Sequence, residues 1–186
     1  MKEKTEMEEV DFFAQHRVFF ETRAKDPAFL NEYKAALREQ AQQRAYFYDK
    51  YSGNCAQSVL LAVQQLFHLE DRMVYKGVHF LAGGGIAGTC GALVGGLVAL
   101  GLRYGRSEPE LSRRHIGANL PANRLVEWFN EEFGTHLCEV ITGVDKKDRE
   151  AWMALLKSPE HEKCFQLCGT VAAKVSEIIS DDTLSI

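Results

Sequence analysis

Residues 83–102 read GGGIAGTCGALVGGLVALGL, and the fold turns on how this stretch is read. No charged side chain occurs from position 81 to position 102. That is close to the ~20 apolar residues a bilayer span requires. Eight glycines and a threonine dilute the apolar character, and the chain offers no second stretch of this kind. The surrounding sequence patterns as amphipathic helix. The stretch is therefore read as a glycine loop at 83–85 and a buried Gly/Ala-rich helix over 89–104, not as a membrane span. Gly84 and Gly88 are spaced as small-x-x-x-small, and so are Gly91 and Gly95. Such spacing lets a second backbone come close. Gly91 and Gly95 would give the same clearance to a bound cofactor.

Working outward, apolar residues recur at helical spacing almost everywhere, and strand-like alternation is scarce. A first helix is predicted around 10–20, with Val10, Phe13, Arg17 and Phe20 on one face. Asp26-Pro27 starts a second, whose stripe runs Leu30, Tyr33, Leu37, Ala41, Ala45, Tyr48. Ser52 or Asn54 caps the next, over 55–67. A shorter helix follows over 70–81. Residues 105–119 read as a polar connection. Pro121 opens a helix that Gly134 ends. A short segment at 136–141 precedes the charged turn DKKDRE. Ser158-Pro159-Glu160 caps the last helix, which runs to about residue 180. The expectation is an all-α single-domain helical bundle of roughly six to nine helices. A buried Gly/Ala-rich helix lies at its centre. Residues 1–45 would be an N-terminal helical arm and residues 46–182 the cysteine-containing domain.

The 186-residue chain has a net charge of −4. A weakly acidic chain lacks the basic surface that phosphate contacts need, so no nucleic-acid partner is expected. The opening MKEKTEMEEV has no apolar h-region, so a cytoplasmic, thiol-reducing location is expected. In such a compartment five cysteines point to metal ligands, redox thiols or buried inert thiols. None forms C-x-x-C or C-x-x-C-H, so the dithiol signature and c-type haem attachment are absent.

Cys55, Cys90 and Cys138 fall in the first turns of predicted helices, and Cys164 in the second turn of the last. First-turn N–H groups are unpaired and partly positive, which favours thiolate. Four such sulfurs converging would suit an iron–sulfur cluster or another thiophilic metal. Without a metal, Cys55 or Cys90 would be the low-pKa attacking thiol of a disulfide relay. Cys164 and Cys168 are i, i+4 on one helix. Their Cβ atoms should lie ~5–6 Å apart, against the ~3.8 Å a disulfide wants. Cys168 shares an apolar face with Val171 and Val175 and reads as core. His161 reads as a solvated first-turn histidine, and GGGIAG lacks the Lys-Ser/Thr ending of a phosphate loop.

Four segments together resemble a known family: NCAQSVL at 54–60, the glycine-rich 83–102, FGTHLCEVITG at 133–143 and KCFQLC at 163–168. The family is the redox-active one named for its C-GCAxxG-C-C cysteine pattern, whose central element here is CGALVG at 90–95. The resemblance covers about residues 45–180. It implies that Cys55, Cys90, Cys138 and Cys164 are the four family cysteines and that Cys168 is an extra. It also implies a redox role, with an iron–sulfur centre in related proteins and an unidentified redox partner. It implies no reaction or substrate. A third expectation stays open: a helical interaction module, membrane-associated or not, with inert cysteines. A homodimer, through the small-residue helix and the aromatic N-terminal face, is a further expectation.

Overall fold

A computed structural model describes residues 26–85, 88–106 and 120–184. The helix expected at 10–20 and most of the polar connection lie outside the described residues. Among them the chain forms eight α-helices and two short 3-10 turns, and the one β-bridge is isolated.

Helix α1 spans Pro27–Ser52. The Asp26 carboxylate accepts the Ala28 N–H at 3.0 Å, and Pro27 occupies the first turn where its missing donor costs nothing. Leu37, Ala41 and Ala45 form its buried stripe. The helix runs through position 45 without a break, and these three side chains belong to the core. Helix α2 spans Cys55–Phe67 and carries the buried Val59, Leu60, Ala62 and Val63. Asn54 is its cap: Oδ1 accepts the Gln57 N–H at 3.0 Å. The Asn54 amide also donates to the His79 carbonyl at 2.9 Å, tying the start of α2 to the next turn of chain. Asn54→Ala is expected to lose both contacts and about 1 kcal/mol of stability. Urea unfolding checks this as a lowered midpoint at unchanged slope.

The helix expected over 70–81 is split: α3 spans Arg72–Gly77 and a 3-10 turn covers His79–Leu81. The Gly/Ala-rich helix α4 spans Gly91–Tyr104 and is central, in contact with α2, α5 (Leu120–Phe133) and the last helix. Gly95 explains the closeness. A Cβ there would run into the carbonyl oxygen of Ala56 on α2, so the two helices touch backbone to backbone. Helix α6 spans Cys138–Thr142. Helix α7, Arg149–Lys157, was not expected from the sequence; Asp148 caps it by accepting the Ala151 N–H. After a 3-10 turn at Pro159–His161, α8 runs Glu162–Leu184. Its Cys168, Val171, Ala172, Val175 and Ile178 are fully buried, and its main partner is α1. No helix of the described residues is long and apolar enough to cross a membrane.

Candidate functional site: a cavity lined by five cysteines

Four of the cysteines are set at or near helix starts. Cys55 is the first residue of α2, Cys90 the N-cap of α4, and Cys138 the first residue of α6; Cys164 is the third of α8. Cys168 follows one turn later. The folding of α1, α2, α4, α6 and α8 brings all five to one narrow cavity of about 50 Å³. That is room for a few water molecules. Ile141, Leu156, Leu167 and Trp152 supply its apolar walls, and Trp152 belongs to the unexpected helix α7.

Short polar ties hold this arrangement. Thr89 and Leu137 pair as an antiparallel bridge. The Cys90 N–H donates to the His136 carbonyl at 2.8 Å, and the Cys138 N–H to the Gly88 carbonyl at 2.7 Å. These bonds fix the starts of α4 and α6 side by side. The Lys163 ammonium donates to the Thr142 carbonyl at 3.0 Å, joining α8 to the end of α6. Lys146 donates to the Ala82 carbonyl at 3.2 Å and braces the glycine loop. Gly91 has its own reason: a Cβ would lie 2.5 Å from the Cys55 sulfur. Its bare Cα makes room for that thiol, while Gly95 serves the packing of α4 on α2.

The electrostatics differ from the expectation. Helix-start thiols were expected to be acidic, and burial overrides that effect. Desolvation pushes the Cys90 thiol up to about 12, although the Ala92 and Leu93 N–H groups face the sulfur and oppose the rise. It pushes Cys55 higher still, against the Gly83 N–H. Cys164 rises to about 11 and Cys138 also rises, with Lys163 and Lys146 respectively pulling the other way. Cys168, fully buried, is pushed well up. The peptide dipoles at a helix start are worth about 0.3–1 kcal/mol, whereas taking an ion out of water costs several. Burial therefore favours the protonated thiols at neutral pH and opposes the low pKa expected of Cys55 and Cys90.

Two lining residues were not anticipated. Asp49, in the last turns of α1, is 2% exposed and faces the cavity. The Cys168 thiol donates to its Oδ2 at 3.4 Å. Burial lifts the Asp49 carboxyl to about 6, against the lowering by that hydrogen bond. The second is His161. It is not a solvated histidine: it lines the cavity and packs edge-on against Phe165, and burial lowers its pKa. A signal for Asp49 existed, since it continues the i+4 stripe of Leu37, Ala41 and Ala45.

Outside the cavity lies an open cleft of about 590 Å³, between the glycine loop and residues 144–147. Gly83, Cys138 and Trp152 line both spaces, so the cleft adjoins the cavity at Cys138.

Four cysteines spaced through the fold, with CGALVG at the head of the central helix, are the pattern of a family described as "putative redox-active protein (C_GCAxxG_C_C)". That family's profile matches residues 53–178. The chain belongs to the C_GCAxxG_C_C family. The match starts just before Cys55 and ends within α8, so it contains every cysteine of the cavity but not Asp49. No curated protein and no solved structure matches the chain. As a family member, the protein is placed among redox-active proteins. The cavity is the part of it that concentrates redox-capable groups.

Proposed function

We propose that the cavity is a thiol redox centre that cycles between free thiols and an internal disulfide. The observation that carries this reading is the meeting of all five cysteines on one small cavity. Each sulfur is free, and burial holds each protonated at neutral pH, the form in which a reduced dithiol is stored. Two electrons and two protons leave together when two such thiols become a disulfide.

An iron–sulfur cluster or another thiophilic metal would draw on Cys55, Cys90, Cys138 and Cys164. Their donor chemistry suits it, since such groups take thiolate ligands, and a bound cluster supplies one-electron transfer. Among the described residues no three His, Cys, Asp or Glu side chains come together as a metal site. The thiol reading needs only two sulfurs to meet.

One preparation tests both readings. The full chain is purified without oxygen, and its thiols are counted after denaturation, before and after a mild oxidant. The expected result is a loss of two thiols per chain, restored by a dithiol reductant. An unchanged count overturns the reading. So does stoichiometric iron and sulfide with visible absorption, which would assign the same sulfurs to a cluster.

A further inference from the structure

We propose that Asp49 is the proton-transfer group of an internal disulfide between Cys55 and Cys168, formed when a hydroperoxide of the size of hydrogen peroxide oxidises Cys55. This rests on the thiol reading above and names its oxidant, its cysteine pair and its acid–base group.

The geometry points to this pair. The Cys168 thiol donates to the Asp49 carboxylate at 3.4 Å, and its sulfur lies 4.0 Å from the Cys55 carbonyl oxygen. Cys168 is fully buried and cannot meet an outside molecule, whereas Cys55 keeps partial exposure. Cys164 is also partly exposed, but it shares a helix with Cys168 at i, i+4, which sets their Cβ atoms too far apart for a bridge. The space suits the oxidant. A cavity of about 50 Å³ has room for a molecule of the size of hydrogen peroxide.

The steps balance. The Cys55 thiol first gives its proton to water, and the thiolate then attacks one peroxide oxygen as the O–O bond breaks. The departing hydroxide takes up that proton, leaving a sulfenic acid and one water. Asp49 then takes the Cys168 proton. The Cys168 sulfur attacks the Cys55 sulfur, the S–S bond forms and the S–O bond breaks. Asp49 returns its proton to the second hydroxide. Two thiols and one peroxide become one disulfide and two waters, and Asp49 ends as it began.

The groups facing Asp49 allow this role. Cys55 and Cys90 stand at the starts of α2 and α4, Cys138 at the start of α6, Cys164 and Cys168 on α8, and His161 on the turn before it. None of these carries a fixed positive charge to hold the carboxylate permanently ionised. With its carboxyl at about 6, Asp49 is a base at neutral pH and can still be reprotonated.

The test uses the anaerobic full chain, hydrogen peroxide, stopped reactions and peptide mapping by mass spectrometry. Wild type should give a Cys55–Cys168 disulfide, two thiols lost per peroxide, and closure that slows as pH falls through about 6. Cys168→Ser should accumulate a sulfenic acid at Cys55 that dimedone traps. Asp49→Asn should form the same sulfenic acid but close the disulfide about 100-fold more slowly, without the break near pH 6. Asp49→Glu should recover part of the rate, which a lost packing contact alone would not allow. A disulfide that excludes Cys168, or Asp49→Asn closing at the wild-type rate, overturns this inference and leaves the thiol reading standing. No thiol loss in wild type overturns both.

Discussion

Asp49→Asn is expected to make the protein more stable at pH 7, by on the order of 2–3 kcal/mol. Burial raises this carboxyl from its ordinary 3.8 to about 6 in the folded chain, and the thiol hydrogen bond from Cys168 offsets only part of that rise. The residue is 2% exposed, so solvent screening does little to reduce the effect. Below about pH 4 the acid is protonated in both the folded and unfolded chains, and its full contribution to stability is present. As pH rises through about 6, folding must keep a buried carboxylate ionised, and that contribution is lost. An asparagine never ionises and can still accept the Cys168 thiol. Urea unfolding of both proteins across pH 4–8 should therefore give curves that lie closest near pH 4, separate between about pH 4 and pH 6, and stay apart above that. Curves that stay parallel throughout would contradict the burial of a charge at this position. The same substitution is expected to slow disulfide closure. A residue that weakens the fold while serving the site is what a functional constraint predicts.

Gly95→Ala is expected to destabilise the protein by about 1–2 kcal/mol. An added Cβ would run into the Ala56 carbonyl oxygen and come 3.0 Å from its carbon and 3.1 Å from its Cα. These are backbone atoms of the first turn of α2, which cannot turn aside as a flexible side chain could. Overpacking of this kind costs about 1–3 kcal/mol. Alanine's better helix propensity returns up to ~1 kcal/mol, so the loss wins. Relief would require α2 to shift beside Cys55, and the reactivity of that thiol should change with stability. A lowered melting temperature checks the first part, and the rate of Cys55 alkylation checks the second. An unchanged melting temperature would mean that α2 and α4 are not in backbone contact.

The helices were legible because their signals are local. Asp26-Pro27 and Asn54 announce helix starts, Ser158-Pro159 announces the 3-10 turn that leads into α8, and the stripes of α1 and α8 repeat over many turns. Helix α7 escaped notice because it is short and presents one buried side chain, Leu155, among charged neighbours. The Thr89–Leu137 bridge leaves no pattern at all: a single pair of residues has no period. The convergence of the cysteines was anticipated from their helix-start positions and the resemblance, but which walls enclose them depends on tertiary contacts such as those of Trp152. The thiol acidities went the other way because helix position is written in the sequence and desolvation is not. Asp49 was missed for a related reason. One acidic residue at the end of an apolar stripe looks like the solvated end of a helix until α8 covers it.

The most direct test of the account is the location of the sulfur atoms in anaerobically grown crystals, found by their anomalous scattering. The account predicts the five cysteine sulfurs around a single small cavity, with the Asp49 carboxylate against Cys168. Sulfurs dispersed through the bundle, each enclosed by aliphatic side chains, would contradict it.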